Sequence, residues 1–324
     1  MTTWKLSAGT AGIIGRKTLK SEALPTTAYI MLGKNCRNNC RFCTQARDSN
    51  ARSDRLSRIT WPAFNAEAVA PDIVRALAER KIKRVCLQVV NNEASWSNTL
   101  EAIAALTKDG PKPICVANYF TSVDQARELL MAGAERICLA IDAATPKLYR
   151  KIKGGEWAER WMLLTACAKA LPGKINTHLI VGLGETEEEM VDRLALCLEQ
   201  GITVGLFAFT PVRGTELAKE KSPLISHYRR IQIAHHLLQL GYGRRTILCT
   251  DGVITGYDIY NWQDLLKNGK AFQTSGCQDC NRPYYNERPG TVPYNYPRPL
   301  TGAETIAALN ISKIGGVGNG MANT

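Results

Sequence analysis

The chain has 324 residues, of which 45% are hydrophobic and 22% are charged, and both values are ordinary for a globular protein. No apolar run reaches the length of a membrane span and the N-terminus lacks a secretory signal, so we expect a cytoplasmic protein without a membrane partner. Eleven cysteines, an odd number at irregular spacings, argue against a disulfide scaffold and for a reducing compartment.

The formal net charge of +12 is the unusual global property, and it indicates an acidic partner. No basic run or basic patch interleaved with aromatic residues accompanies this charge. The sequence therefore favours an acidic protein over nucleic acid as the partner. A solvated surface with surplus Lys and Arg is the alternative.

Apolar and β-branched runs alternate with amphipathic stretches along most of the chain. Strands are predicted at Ala28–Leu32, Arg84–Val90, Ile114–Ala117, Ile137–Ile141, Asn176–Val181, Gly205–Phe209 and Arg245–Cys249, with an eighth at Ala271–Thr274. Helices are predicted at Asn65–Lys81, Thr99–Thr107, Asp124–Met131, Trp157–Leu171, Glu188–Glu199 and Ser226–Leu240.

Strands that alternate with helices of this length predict a parallel sheet with right-handed crossovers. Seven or eight such units without a dinucleotide-binding glycine fingerprint predict an α/β fold, a complete or nearly complete (β/α) barrel of TIM type. We place the barrel at residues 28–275, between an N-terminal extension at 1–27 and a C-terminal extension at 276–324. The chemistry of such barrels lies at the C-terminal ends of their strands.

Cys36, Cys40 and Cys43 form a Cys-x3-Cys-x2-Cys array in the loop after the first predicted strand. Three thiolates on one short loop can converge on one soft metal centre. Iron–sulfur clusters normally take four thiolates, so three leave one iron with an open position. A structural zinc site is the alternative, but zinc usually takes four ligands and no His or fourth Cys lies close by.

This array, with Phe42 just before its last cysteine, resembles the signature of the radical S-adenosylmethionine (SAM) superfamily. The resemblance implies that the three cysteines hold a 4Fe–4S cluster whose fourth iron binds SAM. It implies an external electron donor, and cleavage of SAM to a 5′-deoxyadenosyl radical. The backbone near Phe42 is then expected to approach the adenine.

Polar residues that follow the predicted strands resemble other SAM-binding positions of this family. Asn92 stands within a position where family members often carry Gly-Gly-Glu to hold the SAM amino group, and Asn118 follows the third strand. Asp142 resembles the aspartate that binds the SAM ribose, and Arg150 in the next helix is a candidate for the SAM carboxylate. Asp142 equally suits a turn before that helix.

Two more segments carry the resemblance. Residues His178–Glu185 resemble the family motif GxIxGxxE, which implies that Ile180 packs on the adenine. The glycines of this segment also suit a purely structural turn. In the segment Thr210–Thr215, Arg213 is a candidate to pair with a carboxylate, or simply with solvent.

A second cysteine group lies near the C-terminus, where Cys277 and Cys280 form a Cys-x2-Cys pair. Two thiolates at this spacing are a common half-site for an iron–sulfur cluster or for zinc. We expect Cys249 to join them in an auxiliary iron–sulfur cluster at the same mouth of the barrel, with the fourth ligand open. A zinc clip is the alternative. The other cysteines are expected to fill the core: Cys86, Cys115, Cys138, Cys167 and Cys197.

The segment SGCQDCNRPYYNERPG resembles the second component of two-protein lipoyl synthases, within a biotin-synthase-like group. This resemblance implies sulfur insertion into the octanoyl chain of a lipoyl carrier protein, with a partner synthase subunit and with the auxiliary cluster as sulfur donor. The alternatives are a radical SAM enzyme that acts on a free small molecule, and a basic iron–sulfur protein that binds nucleic acid. The number of inserted sulfurs and the attacked carbon stay open.

Overall fold

A computed structural model describes residues 2–314, so residues 315–324 of the predicted C-terminal extension lie outside the described part. The strands are β1 (Thr3–Leu6), β2 (Thr27–Leu32), β3 (Arg55–Leu56), β4 (Ile59–Thr60), β5 (Ala63–Asn65), β6 (Arg84–Val89), β7 (Ile114–Ala117), β8 (Arg136–Cys138), β9 (Ile175–Val181), β10 (Thr203–Ala208), β11 (Ile247–Thr250) and β12 (Val253–Tyr257). The α-helices are α1 (Ala8–Ile13), α2 (Ala66–Ala78), α3 (Ser95–Thr107), α4 (Val123–Met131), α5 (Pro146–Lys153), α6 (Trp157–Ala170), α7 (Glu187–Glu199), α8 (Ile225–Gln239) and α9 (Gly302–Ser312).

Six parallel strands form the main wall, in the order β2, β6, β7, β8, β9, β10. Neighbours in this order are also neighbours along the chain within the parallel set, and a helix crosses between each pair from β6 onward. Beyond β2, the antiparallel β1 and then β5 extend the sheet. The predicted α/β architecture, a barrel-like sheet with helices outside it, is confirmed.

The prediction of a seventh and an eighth barrel strand is wrong. The seventh corresponds to β11, which pairs antiparallel with β12 in a separate two-stranded sheet. Of the predicted eighth, residues up to Phe272 belong to a 3-10 helix (Lys270–Phe272), and Gln273 makes only an isolated bridge to Tyr296. A short β-branched run favours extended backbone, but tertiary contacts decide which strand it pairs with.

β2 shows how the wall separates two environments. It is buried along its whole length, and its residues alternate between two sets of contacts. Ala28, Ile30 and Leu32 pack in the main core, whereas Tyr29 and Met31 pack in a second apolar cluster. Because successive strand residues point to opposite faces, the second set lies on the inner face of the wall.

Side-chain caps begin several of the helices that follow the strands, as predicted. Ser122 accepts a hydrogen bond from Gln125 N, and Thr186 forms a capping box with Glu189. Pro146 occupies the first turn of α5. Among the described helices, none is long and apolar enough to cross a membrane.

Gly214 joins two loops at the barrel mouth, and its replacement tests that contact. Its φ is +93°, and a Cβ there would lie 2.5 Å from Ala51 N. We expect Gly214→Ala to lower the free energy of unfolding by about 2 kcal/mol or more, since a backbone clash adds to the cost of positive φ. Gly110, with φ of +103° and no atom within 4 Å of a built Cβ, is the matched control. Gly110→Ala should lower the free energy of unfolding by about 1 kcal/mol, measured in urea, through positive φ alone. Equal losses in both variants would contradict the clash.

Candidate functional site

A cavity of about 570 Å³ occupies the interior of the barrel-like sheet. All six parallel strands contribute to its lining, together with the loop after β2 and the C-terminal segment. Eight of the eleven cysteines line it: Cys36, Cys40, Cys43, Cys86, Cys115, Cys138, Cys277 and Cys280. The interior is therefore a thiol-rich chamber and not a packed core.

The loop that carries the first three cysteines is held at three points around the mouth. Arg37 N donates to Asn91 O just after β6, at 2.7 Å. Arg41 N donates to Ile152 O near the end of α5, at 2.9 Å, and Leu217 N donates to Arg41 O at 3.1 Å. The loop is thus fixed by backbone bonds to three separate βα connections.

The chemistry of this loop fits an iron–sulfur cluster. Burial raises the pKa of Cys40 to about 11 and that of Cys43 to about 12. Both are therefore neutral thiols near pH 7 in the free chain, and iron binding displaces their protons. Three thiols beside an open chamber match a 4Fe–4S cluster that keeps one iron free for a ligand.

Phe42 and Ile180, predicted from two distant motifs to lie beside the adenine, pack against one apolar cluster that contains Phe209. Both also line the cavity. The fold therefore joins these two side chains at one wall of the chamber. Asn118, another predicted position, lines the cavity too, and its amide donates to Thr99 Oγ1 at 3.1 Å.

Asp142 forms a buried ion pair with Lys153 in the cavity wall. Lys153 Nζ lies 2.6 Å from Asp142 Oδ2 and also donates to Ala140 O at 2.6 Å. The two side chains are only 11% and 13% exposed. Burial opposes the charge of Lys153, but the carboxylate of Asp142 outweighs it and raises the lysine pKa. A charged ammonium group therefore lines the chamber.

Arg150 is not in the cavity, contrary to the prediction. Its side chain is 69% exposed and pairs with Glu156 at 3.2 Å. The motif predicts helix α5 but not the rotation of that helix about its axis. The apolar side chains Leu148 and Ile152 bury one face, and Lys153 at the helix end supplies the cation that lines the cavity.

Asn92 and Arg213 also lie outside the cavity lining. Asn92 Nδ2 donates to Lys34 O at 2.7 Å, and its Oδ1 accepts from Ala94 N at 3.0 Å. The side-chain amide of Asn92 is therefore hydrogen-bonded to the loop backbone at both its nitrogen and its oxygen. The neighbouring Asn91 lines the cavity instead. Arg213 is exposed to solvent. Adjacent loop residues point in different directions, and the motif does not determine which one faces inward.

Cys277 and Cys280 lie at the opposite end of the chamber from the predicted mouth. Arg84 Nη1, at the start of β6, donates to Gln278 O at 2.7 Å. Thr26 N, just before β2, donates to Asn281 Oδ1 at 2.8 Å. These contacts are with the N-terminal ends of the strands, so the segment closes the floor of the barrel.

The prediction that Cys249 joins this pair is wrong. Cys249 lies in the outer hairpin, with its Sγ 3.9 Å from Arg244 Nη2, and does not line the cavity. Cys115 and Cys138 are buried, as their predicted core-filling role requires, while Cys86 is only partly buried; all three also line the chamber. Strand alternation indicates which residues point inward, but not that the interior stays open. Cys167 and Cys197 are buried in the main core, as predicted.

Within residues 2–314, no three or more Cys, His, Asp or Glu side chains converge on a single metal ion. An iron–sulfur cluster does not need such convergence, because each cysteine binds its own iron. A tetrahedral zinc site, by contrast, would require three or more of these thiols to draw together on one ion.

Comparison with known proteins identifies the family. The Radical SAM superfamily matches residues 30–197, slightly more than half of the chain, and the chain belongs to this superfamily. The family implied by the cysteine array is thus confirmed, and membership of this family implies a 4Fe–4S cluster and SAM as cofactors.

Individual relatives are distant. A lipoyl synthase from Actinobacillus pleuropneumoniae serotype 3 (strain JL03) is 25% identical over 55% of this chain and 53% of its own length. A biotin synthase from Desulforudis audaxviator (strain MP104C) is 28% identical over 63% of this chain and 61% of its own. The chain thus spans about half to three fifths of the length of these relatives.

The crystal structure of methylornithine synthase aligns with this chain with a TM-score of 0.50 at 18% identity, over 72% of this chain and 75% of that one. This likeness shows the fold alone.

Lys153 and Arg150 give a matched test of SAM binding, since both are basic residues of α5 and only one lines the cavity. We assign the SAM carboxylate to Lys153, the basic residue of α5 that lines the cavity, and expect Lys153→Met to weaken SAM binding by about tenfold or more through loss of a charge-assisted bond. Arg150→Met should change the dissociation constant little. Equilibrium dialysis of SAM against the reconstituted variants measures both, and Asp142→Asn/Lys153→Met checks that an unpaired buried carboxylate is not the cause. A larger effect at Arg150 would contradict this assignment.

Proposed function

We propose that this chain inserts sulfur into the octanoyl chain of a lipoyl carrier protein, together with a partner synthase subunit. When bound, a 4Fe–4S cluster and SAM supply the hydrogen-abstracting radical, and a second iron–sulfur cluster bound through Cys277 and Cys280 supplies the sulfur. The chain's own residues then have two tasks. They must guide an aliphatic chain past both sites and keep water away from the radical.

The observation that carries this proposal is an apolar wall that touches both cysteine groups. Its buried residues are Tyr29, Met31, Trp61 and Val90. Cys36 from the mouth packs against this wall, and so do Cys86 and Cys280 from the inner part of the chamber. A substrate lying along the wall is therefore near the radical source and the sulfur source together.

An octanoyl chain suits this wall because its methylene groups need no hydrogen-bond partners and gain free energy from burial. A chain tethered to a carrier also needs a path from the surface. A groove of about 420 Å³ adjoins the mouth, and Arg37, Asn38, Asn91 and Tyr119 border both the groove and the cavity. The groove offers the tethered chain a way in.

Positive charge beside the chamber supports an acidic carrier. Leu56 and Ser57 line the cavity, and Arg55 and Arg58 flank them. Burial and the nearby charges of Arg288 and Arg55 lower the pKa of Arg58. These guanidinium groups repel one another, and an approaching acidic surface would relieve that repulsion. The carrier would therefore associate faster.

The second candidate is a radical SAM enzyme that acts on a free small molecule. The biotin synthase relative, at 28% identity, favours it. Polar side chains such as Asn118, Asn176 and His178 line other parts of the chamber and would serve a free acid with polar ring atoms. We place the tethered aliphatic chain first because the wall that contacts both cysteine groups is apolar.

A competition assay separates these candidates. Reduced, reconstituted protein with its partner subunit receives SAM, octanoylated carrier and free dethiobiotin together. We expect sulfur to appear in the carrier, which mass spectrometry detects, with 5′-deoxyadenosine formed in parallel. The variant Cys36→Ala/Cys40→Ala/Cys43→Ala is the control and should form neither product. Sulfur found only in the free acid would end the lipoyl proposal.

Charge reversal near the chamber tests the carrier docking. We expect Arg58→Glu/Arg288→Glu to slow association with the carrier at low ionic strength, because steering by positive charge becomes repulsion, and the difference should shrink as salt rises. Lys169→Glu/Lys174→Glu makes the same change in net charge near the N-terminal end of β9, and is the matched control. Stopped-flow measurement of both pairs gives the rates. Equal slowing would show that net charge acts without a local docking surface.

A further inference from the structure

We propose that Cys86, Cys115, Cys277 and Cys280 together hold the second iron–sulfur cluster, and that Cys249 has no part in it. This completes the ligand set that the sequence leaves open after the Cys-x2-Cys pair. The inference rests on the proposed function only for the use of the site as sulfur donor. The ligand set itself is tested by iron binding.

The first two thiols are placed by the sheet. Cys86 of β6 and Cys115 of β7 are direct partners in the register of two neighbouring parallel strands. Both line the cavity, so both side chains point inward from adjacent positions on the wall. Cys86 and Cys115 thus face the chamber side by side, next to the Asn176 amide that also contacts Cys277.

The other two thiols are placed by the floor segment. Gly276 lies close to β10, since a Cβ built at Gly276 would be 3.2 Å from Gly205 Cα. This close approach directs Cys277 into the barrel. Asn176 Nδ2 donates to Cys277 Sγ at 2.9 Å and lies 3.6 Å from Cys115 Sγ. A turn bond from Cys280 N to Cys277 O, at 3.2 Å, then sets the position of the last cysteine.

Cys280 contacts the same apolar wall as Cys86. Tyr29 Oη lies 3.2 Å from Cys280 Sγ, and both cysteines pack against the cluster that contains Tyr29. The four thiols therefore come from two strands and one loop but surround one part of the chamber. Thiols that face one part of a chamber in this way can bind one iron–sulfur cluster, each to its own iron.

The electrostatics of the floor suit an anionic group. A buried cluster with four thiolates needs positive charge nearby. Arg84 Nη1 donates to Gln278 O at 2.7 Å, and Arg282 Nη2 donates to Ser275 O at 2.9 Å. Arg136 Nη1 donates at 3.1 Å to Oδ1 of Asn176, the residue whose Nδ2 contacts Cys277. Arg84 is only 4% exposed, and its Nε has no hydrogen-bond partner among the described residues. The floor thus holds three guanidinium groups and one unused buried donor beside the thiols.

Cys138 provides the closest comparison within the chamber. It lines the cavity on β8, one strand beyond Cys115, but within the described chain no hydrogen bond joins its thiol to another residue. Cys249 lies in the outer hairpin. These two cysteines are therefore the matched controls for the proposed four.

The test starts from full-length Cys36→Ala/Cys40→Ala/Cys43→Ala, which lacks the first cluster, so that any iron it retains after anaerobic reconstitution belongs to the second. In this background we expect Cys86→Ala/Cys115→Ala to lose iron and acid-labile sulfide to near zero, as Cys277→Ala/Cys280→Ala should. Cys138→Ala/Cys249→Ala should keep both. Retention of iron without Cys86 and Cys115, loss in the control pair, or zinc in place of iron would each overturn the assignment.

Folding is checked in the chain with the native mouth loop. There, Cys86→Ala/Cys115→Ala should keep the electron paramagnetic resonance signal of the reduced SAM-binding cluster, and should lose about half of the iron if the second cluster is also 4Fe–4S. The outcomes separate the two proposals. Iron bound by the four cysteines without sulfur transfer to the carrier would reject the proposed function and leave the ligand set intact.

Discussion

The close approach of two backbone segments, at Gly205 in β10 and Gly276 in the C-terminal segment, is the contact on which the chamber depends. A Cβ at Gly276, where φ is +108°, would lie 3.2 Å from Gly205 Cα. A closed barrel of eight strands is filled by its own side chains, whereas the six parallel strands of the described residues form an open wall in which β10 pairs only with β9. Here the floor segment closes one end of the space inside this wall and the cysteine loop covers the other, so a chamber of about 570 Å³ remains.

The charged groups inside this chamber differ between its mouth and its floor. Near the mouth, Asp142 and Lys153 neutralise each other, so a ligand with both acidic and basic groups meets a matching pair. At the floor, the guanidinium group of Arg282 lies 4.0 Å from the centre of the Phe207 ring and donates to Ser275 O at 2.9 Å. Arginines that already bond to backbone oxygens stay fixed in place, and the floor keeps a positive potential suited to a buried anion.

Local patterns predicted much of this arrangement. The array at Cys36–Cys43 indicated both the family and the position of the site, since its spacing depends only on a short loop. Phe42 and Ile180, which two separate motifs placed near the adenine, both pack against one apolar cluster. Helix starts such as Thr186 were predicted well, because a cap depends on residues three positions apart. The errors at Arg150 and Asn92 concern side-chain direction, which depends on how an element rotates against its neighbours.

The sequence by itself determined the family, the alternation of strands and helices, and the loop that carries the first three cysteines, because each of these follows from residues close together along the chain. Only the tertiary structure decided that Cys86 and Cys115 share a register position, and that Cys277, from a segment far along the chain, contacts the same Asn176 amide as Cys115. It also removed Cys249 from the group, since β11 pairs with β12 and not with the barrel wall. Strand pairing and the closure of a floor are long-range contacts, and no local spacing encodes them.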